Sequence, residues 1–193
     1  SKYPKHYGMH GYAASGIACL NKNIAMVYWK LNRLSLDGAN VDLPLEGLKT
    51  TISAQDRTKY TNGQKIEVGP ASVAFSPDGK WIYMTGYSWA TAQGTSGYWK
   101  EWLNCVTRIK YDGTGELEML IGSDKLDDIG IENNKLNTPT SVQIDSKGNL
   151  YVTDYMNDRI QIFDLEGKYK RTIKVNKPVK LIIDEKKNEF NSH

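Results

Sequence analysis

Hydrophobic positions along this chain recur mostly at intervals of two, in short runs broken by Asp-Gly, Lys-Gly and Glu-Gly pairs. A period of two, filled by β-branched and aromatic residues, predicts strands, and the glycine pairs predict the turns between them. Long helical periodicity is scarce. The pattern predicts an all-β chain.

The runs also repeat. Pro70-Ala-Ser-Val-Ala-Phe-Ser-Pro-Asp-Gly79-Lys-Trp-Ile-Tyr-Met-Thr85 aligns with Pro139-Thr-Ser-Val-Gln-Ile-Asp-Ser-Lys-Gly148-Asn-Leu-Tyr-Val-Thr153, with one residue of slippage after the glycine. Each unit is a strand, a Gly turn and a second strand. Third strands follow at Arg108 to Gly113 and Arg159 to Gly167, with Arg33 to Gly38 of the same form upstream. Fourth strands are expected at Asn40 to Leu45, Glu116 to Ile121 and Lys170 to Val175. Four short antiparallel strands per unit describe the blade of a β-propeller.

The third unit resembles an NHL repeat through Pro139-Thr-Ser-Val, Gly148-Asn-Leu-Tyr-Val-Thr-Asp154 and Asn157-Asp-Arg-Ile-Gln-Ile-Phe163. Pro139 and Pro178 stand 39 residues apart, close to the roughly 40–45 residues of WD40 blades. No Gly-His and Trp-Asp pair marks the chain as WD40. The resemblance implies four-stranded antiparallel blades of a six-bladed ring, of which this chain holds about three plus the first strand of a fourth. Its expected segments are an irregular N-terminal segment (1–13), blade 1 (14–48) and a connecting loop (49–67). Then come blade 2 (68–122) with an insertion at 86–104, a second connecting loop (123–137), blade 3 (138–175) and the start of a further blade (176–193). A closed ring needs at least about four blades, so another chain or a further chain segment is expected to complete it.

Charge and composition narrow the function classes. The 193 residues carry 25 Lys and Arg against 22 Asp and Glu, both signs spread along the chain. A nucleic-acid binder more often concentrates its basic residues in one stripe, so RNA binding, known among NHL domains, is disfavoured. No apolar run reaches the roughly 18 residues of a membrane span. Cys19 and Cys105 sit in apolar strand-like runs and read first as buried free thiols, second as a disulfide. An extracellular or periplasmic location fits an NHL-like repeat with few cysteines.

Candidate binding chemistry gathers in the insertion. It holds Trp89, Trp99 and Trp102, three of the five tryptophans, together with Tyr87 and Tyr98. Flat rings with a polar edge suit a sugar face or the anchor of a partner, so a carbohydrate or peptide ligand is expected there. The competing reading is a loop that packs its own aromatics onto the blade. The family geometry implies that such loops and the blade-to-blade connections share one face.

Other residues read differently. Arg33, Arg108 and Arg159, aligned at one repeat position, and Asp154 and Asn157 beside the tight turn, are expected to bridge strands or blades. His6 and His10 are weak metal candidates, because Pro4, Gly8 and Gly11 argue against the helix that would put both rings on one ion. Asp124, Asp127 and Asp128 lack the EF-hand spacing and read as a solvated turn. The connection from Lys49 to Lys65 reads as a solvated linker.

No nucleophile elbow, HExxH or P-loop occurs, and the sequence requires no cofactor. The first expectation is a binding scaffold. The alternative is part of a propeller enzyme, a metal-assisted lyase or hydrolase or a subunit of a redox complex, with active-site residues mostly elsewhere. Amidating lyases of this fold bind a metal near the channel, but 70–76 and 139–145 contain no His.

Overall fold

Alternating strands and Gly turns fold back on one another to give a series of antiparallel sheets. The computed structural model describes residues 16–28, 30–35, 50–55, 65–92, 98–185 and 189–192. Blade 1 comprises β1 (Gly16–Leu20), β2 (Asn23–Tyr28) and β3 (Lys30–Ser35). A hairpin of β4 (Ile52–Gln55) and β5 (Lys65–Val68) follows. Blade 2 opens with β6 (Ser72–Phe75) and β7 (Trp81–Thr85). It is then interrupted by a hairpin of β8 (Ser88–Ala92) and β9 (Tyr98–Trp102), and closes with β10 (Cys105–Lys110) and β11 (Glu118–Gly122).

Blade 3 is uninterrupted: β12 (Pro139–Ile144), β13 (Leu150–Asp154), β14 (Arg159–Phe163) and β15 (Tyr169–Lys174). Beyond it, β16 (Leu181–Asp184) pairs with β17 (Glu189–Ser192), one strand more than the single opening strand expected from the sequence. The expected fourth strand of blade 1 at 40–45 and the segment 1–13, with His6 and His10, lie outside the described residues. No helix among those described is long and apolar enough to cross a membrane.

The turns form where the sequence demands them. Gly79 and Gly148 take φ of +71° and +75°, the left-handed region that a β-carbon disfavours. Asp78 and Asp145 stabilise these turns by accepting backbone N–H groups two residues on, from Lys80 and Lys147, each at 3.0 Å.

First strands of successive blades, β1, β6, β12 and β16, pack side by side in an arc. Between blades 1 and 2, Ala25 and Val27 meet Val73, Phe75, Ile82, Met84 and Ile109. Between blades 2 and 3, Ala74, Tyr83, Val106 and Ile121 meet Val142, Leu150, Val152 and Phe163. Tyr151, Ile160 and Ile162 then cover Leu181. Each fully buried side chain of this size contributes about 1.5–3 kcal/mol, so the interblade layers are the main source of stability.

The joints between first strands differ in detail. Ser72 Oγ accepts Val142 N at 3.0 Å, and Ser141 Oγ accepts Leu181 N at 3.3 Å. At the matching place in blade 1 stands Gly16, where a β-carbon would lie 2.6 Å from the Ala71 carbonyl oxygen. Backbone approaches backbone there directly.

Three sequence expectations change. The 49–67 connection is no solvated linker throughout, since β4 and β5 form within it and Thr50, Thr51, Ile52, Ala54 and Val68 are buried. The insertion is a β-hairpin rather than a loop. Cys19, expected buried, is exposed, while Cys105 is buried, and both are free thiols. Strand alternation explains Cys19: Ala18 and Leu20 pack toward blade 2, which turns Ile17 and Cys19 the other way.

Candidate functional site

The aromatic insertion divides between core and surface. Tyr87 is fully buried, its hydroxyl donating to the Thr50 carbonyl at 3.2 Å and accepting from Thr107 Oγ1 at 2.6 Å. Burial pushes its phenol far above the ordinary value, with the nearby Cys105 adding to the rise. Trp89 is 9% exposed and also belongs to the core. These two rings anchor the hairpin and are out of reach of a ligand. Trp102 is half-buried. Tyr98 and Trp99 lie in β9, with side chains outside the described residues.

Trp102 faces a groove of about 200 Å³ shared with Glu101, Asn104, Leu126, Ile129, Asn137 and Thr138. The hairpin and the 123–137 connection are joined there, because Asn104 Oδ1 accepts Thr138 N at 2.8 Å. Leu103 N donates to the Tyr87 carbonyl at 2.8 Å, which closes the base of the hairpin.

The same connection is gripped from blade 3. The Asp154 carboxylate, with no exposure, accepts Asn137 N at 2.6 Å, Arg159 Nε at 2.7 Å and Asn157 Nδ2 at 2.9 Å. Asn157 Nδ2 also donates to the Gly130 carbonyl at 2.8 Å. Three further N–H groups of Arg159 go to the carbonyls of Ile131 (2.6 Å), Glu132 (3.1 Å) and Lys135 (2.9 Å). Gln161 Nε2 adds a bond of 2.6 Å to the Lys135 carbonyl. A buried ion pair so heavily hydrogen-bonded to backbone groups fixes their geometry well.

Arg159 therefore does not share a repeat position with Arg33 and Arg108, as the sequence alignment has it. Tyr83 and Tyr151 occupy one position, each two residues before the threonine of its second strand, Thr85 and Thr153. The third-strand partner of Tyr83 is Arg108, whereas that of Tyr151 is Ile162. Arg33 and Arg108 do correspond, and each reaches into the next blade. Arg33 Nη1 donates to the Tyr111 carbonyl, and Arg108 Nη1 to the Leu165 carbonyl at 2.9 Å. Arg108 also lies over the Trp81 ring at 4.5 Å and pairs with Glu118 (2.7 Å) and Glu166 (2.8 Å). Its bond to Glu166 is the largest cause of a guanidinium basicity raised above the usual value.

In the place of Asp154, Arg159 and Gln161, blade 2 has Gly86, Cys105 and Thr107. There the Tyr87 hydroxyl ties the third strand, through Thr107, to the connection arriving from blade 1. Sequence reading missed this substitution, because nothing in the residue types links Tyr87 to Thr50.

Apolar side chains remain exposed on this face. Ile129, Ile131 and Met156 are 50%, 76% and 50% exposed. The acidic residues nearby do not form a metal site: Asp128 pairs with Lys135, and no group of three His, Cys, Asp or Glu side chains suited to a metal occurs among the described residues.

A profile of the NHL repeat matches residues 136–163. Among solved structures, a nidogen/laminin complex is similar at 18% identity and TM-score 0.53, over 93% of this chain and 56% of that one. The structure of U3-55K is similar at 10% identity and TM-score 0.54, over 89% and 43%. The chain thus spans about half the length of these propellers, and the likeness concerns the fold alone. A comparison with curated proteins finds no match.

Proposed function

We propose that this β-propeller chain, with its NHL repeat at residues 136–163, acts as a binding scaffold, meeting ligand or partner through the face that carries the 86–104 hairpin. One observation supports this reading above others. The hairpin is anchored by buried Tyr87 and Trp89, yet leaves Trp102 partly exposed in a groove against a second, independently fixed connection. Long elements on a rigid frame are where propellers and similar scaffolds place recognition.

The test is a panel of glycans and peptides assayed against the wild-type chain and Trp102→Ala. Loss of binding by about tenfold supports the proposal, as expected for an aromatic anchor. Binding that survives both Trp102→Ala and Trp99→Ala refutes it. Tyr87→Phe serves as the control, since that ring lies in the core.

Completion of the ring by a further blade belongs to the same reading. The side of blade 1 turned away from blade 2 presents Ile17, Cys19, Ile24 and Met26. Blade 2 has Val73, Phe75, Ile82 and Met84 at the corresponding places, all buried against blade 1. A face of the same design fits the same kind of neighbour, from this polypeptide or another. Its test is Met26→Asp. A lowered thermal midpoint in the native assembly, with no change in the 193-residue chain alone, supports the contact; equal effects in both refute it.

A further inference from the structure

Ile129 and Ile131 flank Gly130 in the connection between blades 2 and 3, and Met156 lies in the 3-10 turn Tyr155–Asn157 beside them. All three are at least half-exposed, although large apolar side chains are normally withdrawn from water. Their backbone is anything but loose. The Gly130, Ile131 and Glu132 carbonyls are held by Asn157 and Arg159, and Met156 N donates to the Asn137 carbonyl at 3.1 Å. Trp102, Leu126 and Ile129 continue the apolar surface into the groove at the foot of the hairpin.

Pre-ordering of this kind lowers the entropy lost on association, which is the cost that most limits binding at mobile loops. Nothing about folding requires Ile131 to be isoleucine, since it is 76% exposed. The rim has a definite sign. Residues 123–137 hold Asp124, Asp127, Asp128 and Glu132 against Lys125 and Lys135, an acidic stretch in a chain that is net +3. The basic groups beside Ile131 are engaged: Lys135 pairs with Asp128, and Arg159, 11% exposed, pairs with Asp154.

We infer that Ile129, Ile131 and Met156, with Trp102 at one end, form a docking surface for a peptide segment of another protein that carries apolar anchors flanked by Lys or Arg. Apolar anchors would supply the affinity, and the acidic rim would select basic flanks and speed encounter. The inference rests on the proposed binding face, and it names both a part of that face outside the hairpin and the chemistry of the occupant.

Selection of random displayed peptides against the immobilised chain tests it, followed by affinity measurements on Ile131→Asp, Ile129→Asp and Trp102→Ala. Because Ile131 and Ile129 contribute little to the core, matching thermal unfolding of the variants confirms that they fold. The expected peptides combine apolar and basic residues, lose about tenfold or more in affinity to Ile131→Asp, and weaken as salt is raised. Enrichment of acidic peptides, equal binding to wild type and Ile131→Asp, or no enrichment overturns the inference. Peptides lost with Trp102→Ala but retained with both isoleucine variants overturn it while leaving the binding face intact. Binding of glycans and not peptides does the same.

Discussion

Arg108 lies over the ring of Trp81 in its own blade and, from there, reaches the Leu165 carbonyl of the next at 2.9 Å. The Tyr83 hydroxyl donates to that same carbonyl at 3.0 Å. One acceptor thus receives two donors from the neighbouring blade. Arg108→Met is expected to destabilise the fold by about 1.5–3 kcal/mol, the range for hydrogen bonds to charged groups. Arg108→Lys keeps the charge but loses the planar fork, and should recover less than half of the loss. Urea unfolding of the three proteins measures both. Glu166→Gln alone should cost under about 1 kcal/mol, because that carboxylate is 75% exposed.

Removing the carboxylate at Asp154 leaves Arg159, whose side chain is only 11% exposed, without its ion-pair partner. Asp154→Ala is expected to cost about 3–5 kcal/mol and to release the 130–137 connection. Amide exchange at Asn137, Met156 and their neighbours would rise together. Unchanged protection would mean that the connection is held by packing alone.

Tyr87→Phe removes a buried hydroxyl bonded to Thr107 and Thr50. A loss of about 1–3 kcal/mol is expected from the partners left unsatisfied. Ligand affinity should not change, in contrast to Trp102→Ala. Paired measurements of unfolding and binding separate the two rings.

The division of the insertion into anchor and surface was only half legible beforehand. Its enrichment in Trp and Tyr is plain in the sequence. Which rings turn inward depends on pairing register, and the Gln-Gly-Thr-Ser-Gly sequence at 93–97 gives no pattern to fix it. Strands and Gly turns of blades 2 and 3 were readable because alternation and positive-φ glycine are local properties. The equivalence of Arg159 with Arg108 was misleading for a related reason. Matching the two Arg-Ile pairs shifts β14 against β10 by three residues, and an odd shift exchanges the faces of a strand. Buried Cys19 failed in the same way, since an apolar run alone does not say which face is covered.

Thiol chemistry should separate the cysteines cleanly. Cys19 is exposed, whereas Cys105 is buried and its thiol is pushed well above its ordinary value, burial being the main cause. A disulfide reagent is expected to titrate one thiol promptly in native protein and both of the chain's two cysteines after denaturation. Two fast thiols would show that blade 2 opens on the timescale of the reaction.

Acid should destabilise the fold through a few carboxylates. A hydrogen bond from Ser76 holds Asp78 low, and one from Arg108 holds Glu166 low. Burial pushes Asp145 up, but bonds from Asn149, Tyr151 and Lys147 outweigh it and leave the group below its ordinary value. A carboxyl lowered by folding stabilises the native state above its unfolded value and loses that contribution as pH falls through the folded one. Thermal midpoints should therefore be level down to about pH 5 and fall below about pH 4. Asp145→Asn is expected to make that acid limb shallower.

A serine hydroxyl acts as a spacer at two of the inner joints, and its absence at Gly16 brings the first two blades into direct backbone contact. The inner joints are accordingly not all built from the same parts. Any ring built from this arc therefore joins its first two blades by close backbone approach and the next two joints through a serine hydroxyl, so the effect of a substitution at one kind of joint does not carry over to the other. Gly16→Ser would set a β-carbon 2.6 Å from the Ala71 carbonyl oxygen and force the two strands apart.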